Sequence, residues 1–181
     1  MSKLLTIPNL LTISRILLLP IFAVGFLVGS RNGLIVSLLV FALCCITDYL
    51  DGYYARAYKQ TTKIGQILDP LADKIVVSIA ILFMAWSNII STLSMIPASI
   101  ILCREIIISG VRDAEEFSGS EVQTSRLSKW KTATQMIAIS VMLFSAVLKS
   151  GCILKIGEII FWVSSAIAIV SGFVYCKKHV F

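Results

Sequence analysis

Charge is what this sequence has least of. Only 14% of its 181 residues are Asp, Glu, Lys or Arg, with one histidine and four prolines. An ordinary soluble domain carries about 25% charged residues, so a soluble fold is excluded. The five cysteines, Cys44, Cys45, Cys103, Cys152 and Cys176, form no CxxC pair and read as small packing residues. Internal repeats and low-complexity segments are absent. The N-terminal stretch MSKLLTIPNLLTISR has Arg15 inside its apolar run and no small-residue cleavage site, so a cleaved signal is not expected.

What fills the chain instead is apolar. Hydrophobic residues make up 57% of it, and the mean hydropathy is +0.92. The expectation is one integral membrane domain over residues 1–181, all-α, because a spanning segment must satisfy its own backbone hydrogen bonds. A helical crossing needs about 20 residues. Ile16–Ser30 is too short alone, so the first helix begins near Asn9 or Leu10 and carries Arg15 in its early turns. Asn32–Thr47 is likewise short, so the second runs on through Asp48 and Asp51 toward Arg56. Ile75–Cys103 is too long for one span, and Ser87, Asn88, Ser91 and Thr92 split it into helices of about Gly65–Trp86 and Ser91–Glu115. Thr132–Leu148 and Ile159–Cys176 complete a six-helix transmembrane bundle.

The charges fall on one side. Lys3, Lys59, Lys63, Arg126, Lys129, Lys177 and Lys178 share it, against Arg31, Lys149 and Lys155 opposite. The positive-inside rule puts both termini and the charged helix ends in the cytoplasm, and Phe117–Ser128 becomes a cytoplasmic loop. The net charge of +6 also suits anionic lipids and substrates. Small-residue pairs at Gly25/Gly29 and Ala168/Gly172 allow close helix approach, which leaves a homodimer open.

Four aspartates stand out against this background. Asp48 and Asp51 are i,i+3 neighbours, and Asp69 and Asp73 are i,i+4 neighbours, so each pair shares a helix face. The pairs flank a loop centred near Gln60. In an antiparallel hairpin, Asp51 then levels with Asp69 and Asp48 with Asp73. Mutual repulsion and desolvation forbid four ionised carboxylates from clustering unaided. Arg56 and Lys74 could balance part of the charge, and hard divalent cations such as Mg²⁺ or Mn²⁺ would balance more, leaving positions for phosphate oxygens. Helix-end salt bridges to Lys59, Lys63 and Lys74 are the alternative. Gly52 and Ala55 lie on the face of Asp48, and Gly65 lies on that of Asp69 and Asp73. They make room for a ligand or simply for close helix packing. Pro70 can kink the third helix or mark its first turn.

The pattern D-x2-D-G-x2-A-R-x8-G-x3-D-x3-D, met by Asp48, Asp51, Gly52, Ala55, Arg56, Gly65, Asp69 and Asp73, resembles the signature of the CDP-alcohol phosphotransferases. Ile7–Arg15 (IPNLLTISR), Arg104–Arg112 (REIIISGVR) and Lys129–Met136 (KWKTATQM) are similar to the bacterial phosphatidylglycerophosphate synthase branch of that family. The resemblance implies a six-helix bundle of that family's type in a bacterial cytoplasmic membrane. Its substrates would be CDP-diacylglycerol and sn-glycerol 3-phosphate, its products phosphatidylglycerophosphate and CMP, with membrane lipids around it, no nucleic acid, and a homodimer. Two divalent ions, Mg²⁺ or Mn²⁺, would be held by Asp48, Asp51 and Asp69, with Asp73 near them as general base. Asn9, Thr12, Gly52, Ala55, Arg56, Thr62 and Gly65 would seat the CDP-lipid. Spacing alone gives Asn9 a different reading, as part of a helix start at Pro8.

An acceptor that is itself a phosphate needs cations. Arg104, Arg112, Lys129 and Lys131 are the candidates, with Arg104 and Arg112 on roughly one face. Lys129 and Lys131 point apart, so one of them faces the site. Ordinary orientation anchors (for the lysines) and a pair with Glu105 (for Arg104) compete with that assignment. Two other functions are weighed: a cation pathway, which would place acids at mid-membrane, and a sister enzyme using inositol phosphate, serine or phosphatidylglycerol as acceptor.

Overall fold

The computed structural model describes residues 7–58, 63–117 and 126–179. Six helices carry these residues: α1 Ile7–Leu27, α2 Arg31–Tyr58, α3 Lys63–Trp86, α4 Met95–Phe117, α5 Arg126–Leu148 and α6 Gly151–His179, with a 3₁₀ turn at Thr92–Ser94. Five are long and apolar enough to cross a membrane: α1, α2, α4, α5 and α6. The remaining helix, α3, is of spanning length, but Lys63, Asp69, Asp73 and Lys74 interrupt its hydropathy. The protein is a multi-pass, all-α membrane protein, as expected.

Helix boundaries differ from the sequence expectation at three starts. α5 begins at Arg126 rather than Thr132, and α6 at Gly151 rather than Ile159. The charged residues ahead of each apolar run continue the helix, because a helix satisfies its own backbone whether or not that turn is apolar. The region near Ser91 forms the 3₁₀ turn before α4 starts at Met95. Between α1 and α2, Gly29 takes a left-handed φ of 64°, and Ser30 Oγ accepts the Gly33 N–H at 3.1 Å as an N-cap. Asn88 (φ 54°) and Lys149 (φ 53°) turn the chain after α3 and α5.

The chain divides into two compact units, residues 1–87 with 146–149, and residues 88–145 with 150–181. In the first, α1 packs along both α2 and α3, while the direct α2–α3 contact among the described residues is smaller. α1 thus lies against both arms of the α2–α3 hairpin. Phe22 is the hub: its ring lies 5.0 Å from Phe26, 6.3 Å from Phe41 and 6.2 Å, edge-on, from Phe83. Gly25 lets α1 touch α2 backbone to backbone, since a Cβ there would stand 2.6 Å from the Gly33 carbonyl oxygen.

In the second unit, α4 packs on α6, and Ile101, Ile139, Met142, Leu143 and Phe161 are fully enclosed. A Cβ on Gly172 would sit 3.4 Å from Arg104 Cγ. Gly25 and Gly172 thus serve contacts within the chain, and Gly29 serves the turn, with nothing within 4 Å of its Cβ position. The two small-residue pairs give a dimer no support. Leu17, Leu39, Leu82, Ile106 and Phe173 are each more than 60% exposed, as side chains facing hydrocarbon would be.

Candidate active site

The first unit builds its polar centre from one stripe of α1. Asn9, Thr12, Arg15, Leu19, Phe22 and Phe26 recur every three or four residues, and all are buried. This is the inward face of a 3.6-residue helix. Its apolar end makes the aromatic hub, and its polar end holds an amide, a hydroxyl and a guanidinium. Arg15 is 1% exposed, and its Nη1 donates to Asp48 Oδ1 on α2 at 2.7 Å. Asp48 is 32% exposed.

Asp73 sits on α3 beside the buried Ala72, Val76 and Val77. Cys45 on α2 lies close enough to Asp48 and Asp73 to feel the charge of both. Asp51, Gly52, Ala55 and Arg56 lie on α2, and Gly65 and Asp69 on α3, with side chains outside the described residues. Thr62 falls wholly outside them. Among the described residues no three His, Cys, Asp or Glu side chains are grouped to hold an ion. Of the four aspartates, the described side chains are those of Asp48 and Asp73.

The donor chemistry fits a hard divalent cation. Asp48 on α2 and Asp73 on α3 offer hard oxygen donors from two helices of one unit, and the helical repeat places a further aspartate one turn along each helix. Arg15 holds one oxygen of Asp48.

The second unit carries the expected cations. Arg104 lies on α4, where its Nη2 donates to Ser171 Oγ on α6 at 3.1 Å, and Ser171 Oγ donates to the Ala168 carbonyl at 3.0 Å. Arg104 Nη1 lies 3.5 Å from Glu105 Oε1. Lys131 on α5 is buried and forms an ion pair with the same Glu105 oxygen. The anticipated Arg104–Glu105 pair exists, but Lys131 shares its carboxylate. Arg112 on α4 and Lys129 on α5 have side chains outside the described residues.

Two residues at these centres were not among the expected site residues, Arg15 and Glu105. Arg15 continues the i,i+3 series of Asn9 and Thr12, which is the signal that could have marked it. Glu105 is anticipated as a partner of Arg104, its neighbour on α4, but its second partner, Lys131, stands on α5, which the sequence does not reveal.

Residues 5–170 match the CDP-alcohol phosphatidyltransferase family. The chain is 35% identical over 178 residues to a CDP-diacylglycerol–glycerol-3-phosphate 3-phosphatidyltransferase of Rickettsia felis, a match covering 96% of each chain. The protein of the same name from Rickettsia bellii is 36% identical over 179 residues, again 96% of each chain. That of Haemophilus influenzae is 40% identical over 140 residues, covering 76% of this chain and 75% of its own.

Proposed function

The chain belongs to the CDP-alcohol phosphatidyltransferase family, and on that premise we propose that it transfers the phosphatidyl group of CDP-diacylglycerol to sn-glycerol 3-phosphate. The products are phosphatidylglycerophosphate and CMP. The observation that carries this is the Arg15–Asp48 ion pair, which ties the polar stripe of α1 to the first aspartate of the signature, in the unit whose α3 bears Asp73. The family match crosses both units, which supports a single working domain over 1–181. The lysine and arginine asymmetry supports a site facing the cytoplasm of a bacterial inner membrane. A homodimer belongs to the same proposal, on faces other than those of Gly25 and Gly172.

Asp73 acts as general base. Its carboxylate takes the proton from the acceptor's 1-hydroxyl, that oxygen attacks the β-phosphorus, and the bond to the CMP oxygen breaks. Asp48, Asp51 and Asp69 would hold two divalent ions, Mg²⁺ or Mn²⁺. When bound, such ions supply electrostatic stabilisation of the pyrophosphate. Arg15 holds Asp48 through a charge-assisted hydrogen bond. Asn9 and Thr12, on the same stripe, with Gly52, Ala55, Arg56, Thr62 and Gly65, seat the nucleotide. Arg104 and Lys131, with Arg112 and Lys129, serve the acceptor's phosphate.

The test is CMP release by purified protein given CDP-diacylglycerol, Mg²⁺ and one acceptor at a time: glycerol 3-phosphate, inositol phosphate, serine or phosphatidylglycerol. Release with glycerol 3-phosphate is expected. Release with another acceptor alone would reassign the enzyme within its family, and release with none would remove the transferase reading.

A further inference from the structure

We propose that Glu105 is a positioning residue for the acceptor's phosphate, acting through the two cations it joins; this rests on the transferase function above. A single carboxylate oxygen, Glu105 Oε1, pairs with Lys131 Nζ from α5 and lies 3.5 Å from Arg104 Nη1 of α4. That one oxygen joins the two cations. Arg104 is pinned a second time, by Ser171 Oγ at 3.1 Å, and Gly172 admits its stem against α6. The side chains are 11%, 14% and 5% exposed for Arg104, Glu105 and Lys131, so little water screens them.

Two adjacent ammonium and guanidinium groups in such surroundings repel one another, and a lysine there tends to lose its proton or swing outward. The shared carboxylate opposes both. It holds Lys131 beside the Arg104 fork, giving a point charge next to a planar donor pair. That combination suits a phosphate. Glu105 itself, being an anion, does not contact the phosphate.

Wild-type protein is first assayed for CMP release across a range of glycerol 3-phosphate at saturating CDP-diacylglycerol and Mg²⁺. Absence of release at this stage would overturn the transferase function and the positioning role with it. With the wild type active, Glu105→Gln should raise KM for glycerol 3-phosphate by about tenfold, while KM for CDP-diacylglycerol changes by less than about twofold. A purely structural ion pair would lower the folded fraction without that split. Glu105→Asp should recover part of the loss. In the Glu105→Gln/Lys131→Gln double variant, KM should rise by less than the product of the two single effects. Glu105→Asp takes the place of Glu105→Gln in this cycle if the latter does not fold. An unchanged or lower KM for glycerol 3-phosphate in Glu105→Gln, or independent effects in the double variant, would overturn the role.

Discussion

Arg15 on α1 and Asp48 on α2 form an ion pair of 2.7 Å, with the guanidinium almost entirely enclosed and the carboxylate one-third exposed. The pair ties the α1 stripe to the first aspartate of the signature. Removing one partner of a fully buried pair costs about 3–5 kcal/mol; the partial exposure of Asp48 lowers this to about 2–3 kcal/mol. Arg15→Met should therefore lower the unfolding midpoint of the detergent-solubilised protein. Replacing both partners by apolar residues, Arg15→Met with Asp48→Leu, should restore much of the stability, because no stranded charge remains. Activity should stay absent in the double variant, since Asp48 is assigned to the ions. Recovery of CMP release there would remove Asp48 from the machinery.

Asp73→Asn keeps the side-chain shape on α3 and removes the base. Its CMP release should drop by about 10²–10⁴-fold, with helical circular dichroism and the thermal midpoint close to wild type. Turnover within a few-fold of wild type would reject Asp73 as the proton acceptor.

Much of this protein could be read before any coordinates. Charges inside apolar helices are conspicuous because they are costly, so Asp48, Asp51, Asp69 and Asp73 announce themselves. Six helices follow from length and hydropathy, and Trp86 and Leu148 end α3 and α5 where expected. Partners across helices were harder to see. Arg15 falls in the early turns of the first helix with no partner assigned; Asp48, 33 residues away, is found against it. Lys131 reads as a phosphate ligand or an anchor, and its pair with Glu105 is visible in neither reading. The glycines misled for a different reason. In a membrane both the core side and the lipid side of a helix are apolar, so spacing does not reveal which one Gly25 or Gly172 faces. The early starts of α5 and α6 were hidden because the polar turns before their apolar runs look like loop.

Gly25 and Gly110 offer a controlled comparison of glycine roles. A Cβ at Gly25 would lie 2.2 Å from Ser37 Oγ and 2.6 Å from the Gly33 carbonyl oxygen. The serine could rotate, at the expense of its 2.8 Å bond to the Phe22 carbonyl, but the backbone of α2 cannot yield. Gly25→Ala should cost about 1–3 kcal/mol by forcing α1 from α2. At Gly110 nothing lies within 4 Å of the Cβ position, so Gly110→Ala should be neutral or gain up to about 1 kcal/mol from helix propensity. Thermal scans of both variants in one detergent check this, and equal destabilisation would contradict the packing role of Gly25.

Glu158 latches the start of the second unit to α6. Its Oε1 accepts the Ser91 N–H at 2.9 Å and the Ser94 hydroxyl at 2.7 Å, and the two serine hydroxyls lie 3.0 Å apart. Ser94 is 1% exposed, so truncation would leave its hydroxyl short of a strong acceptor. Hydrogen bonds to a charged group are worth about 1.5–3 kcal/mol in total stability. Glu158→Ala should lose about that much in chemical or thermal unfolding, and Glu158→Gln less, because the amide oxygen still accepts. The latch lies in the first turns of α6, whereas Arg104 meets that helix near its other end, at Ser171. Both variants should therefore retain wild-type KM for glycerol 3-phosphate in the folded fraction. A selective rise in that KM would mean that the 88–94 segment controls the cation cluster, and the purely structural assignment of Glu158 would be wrong.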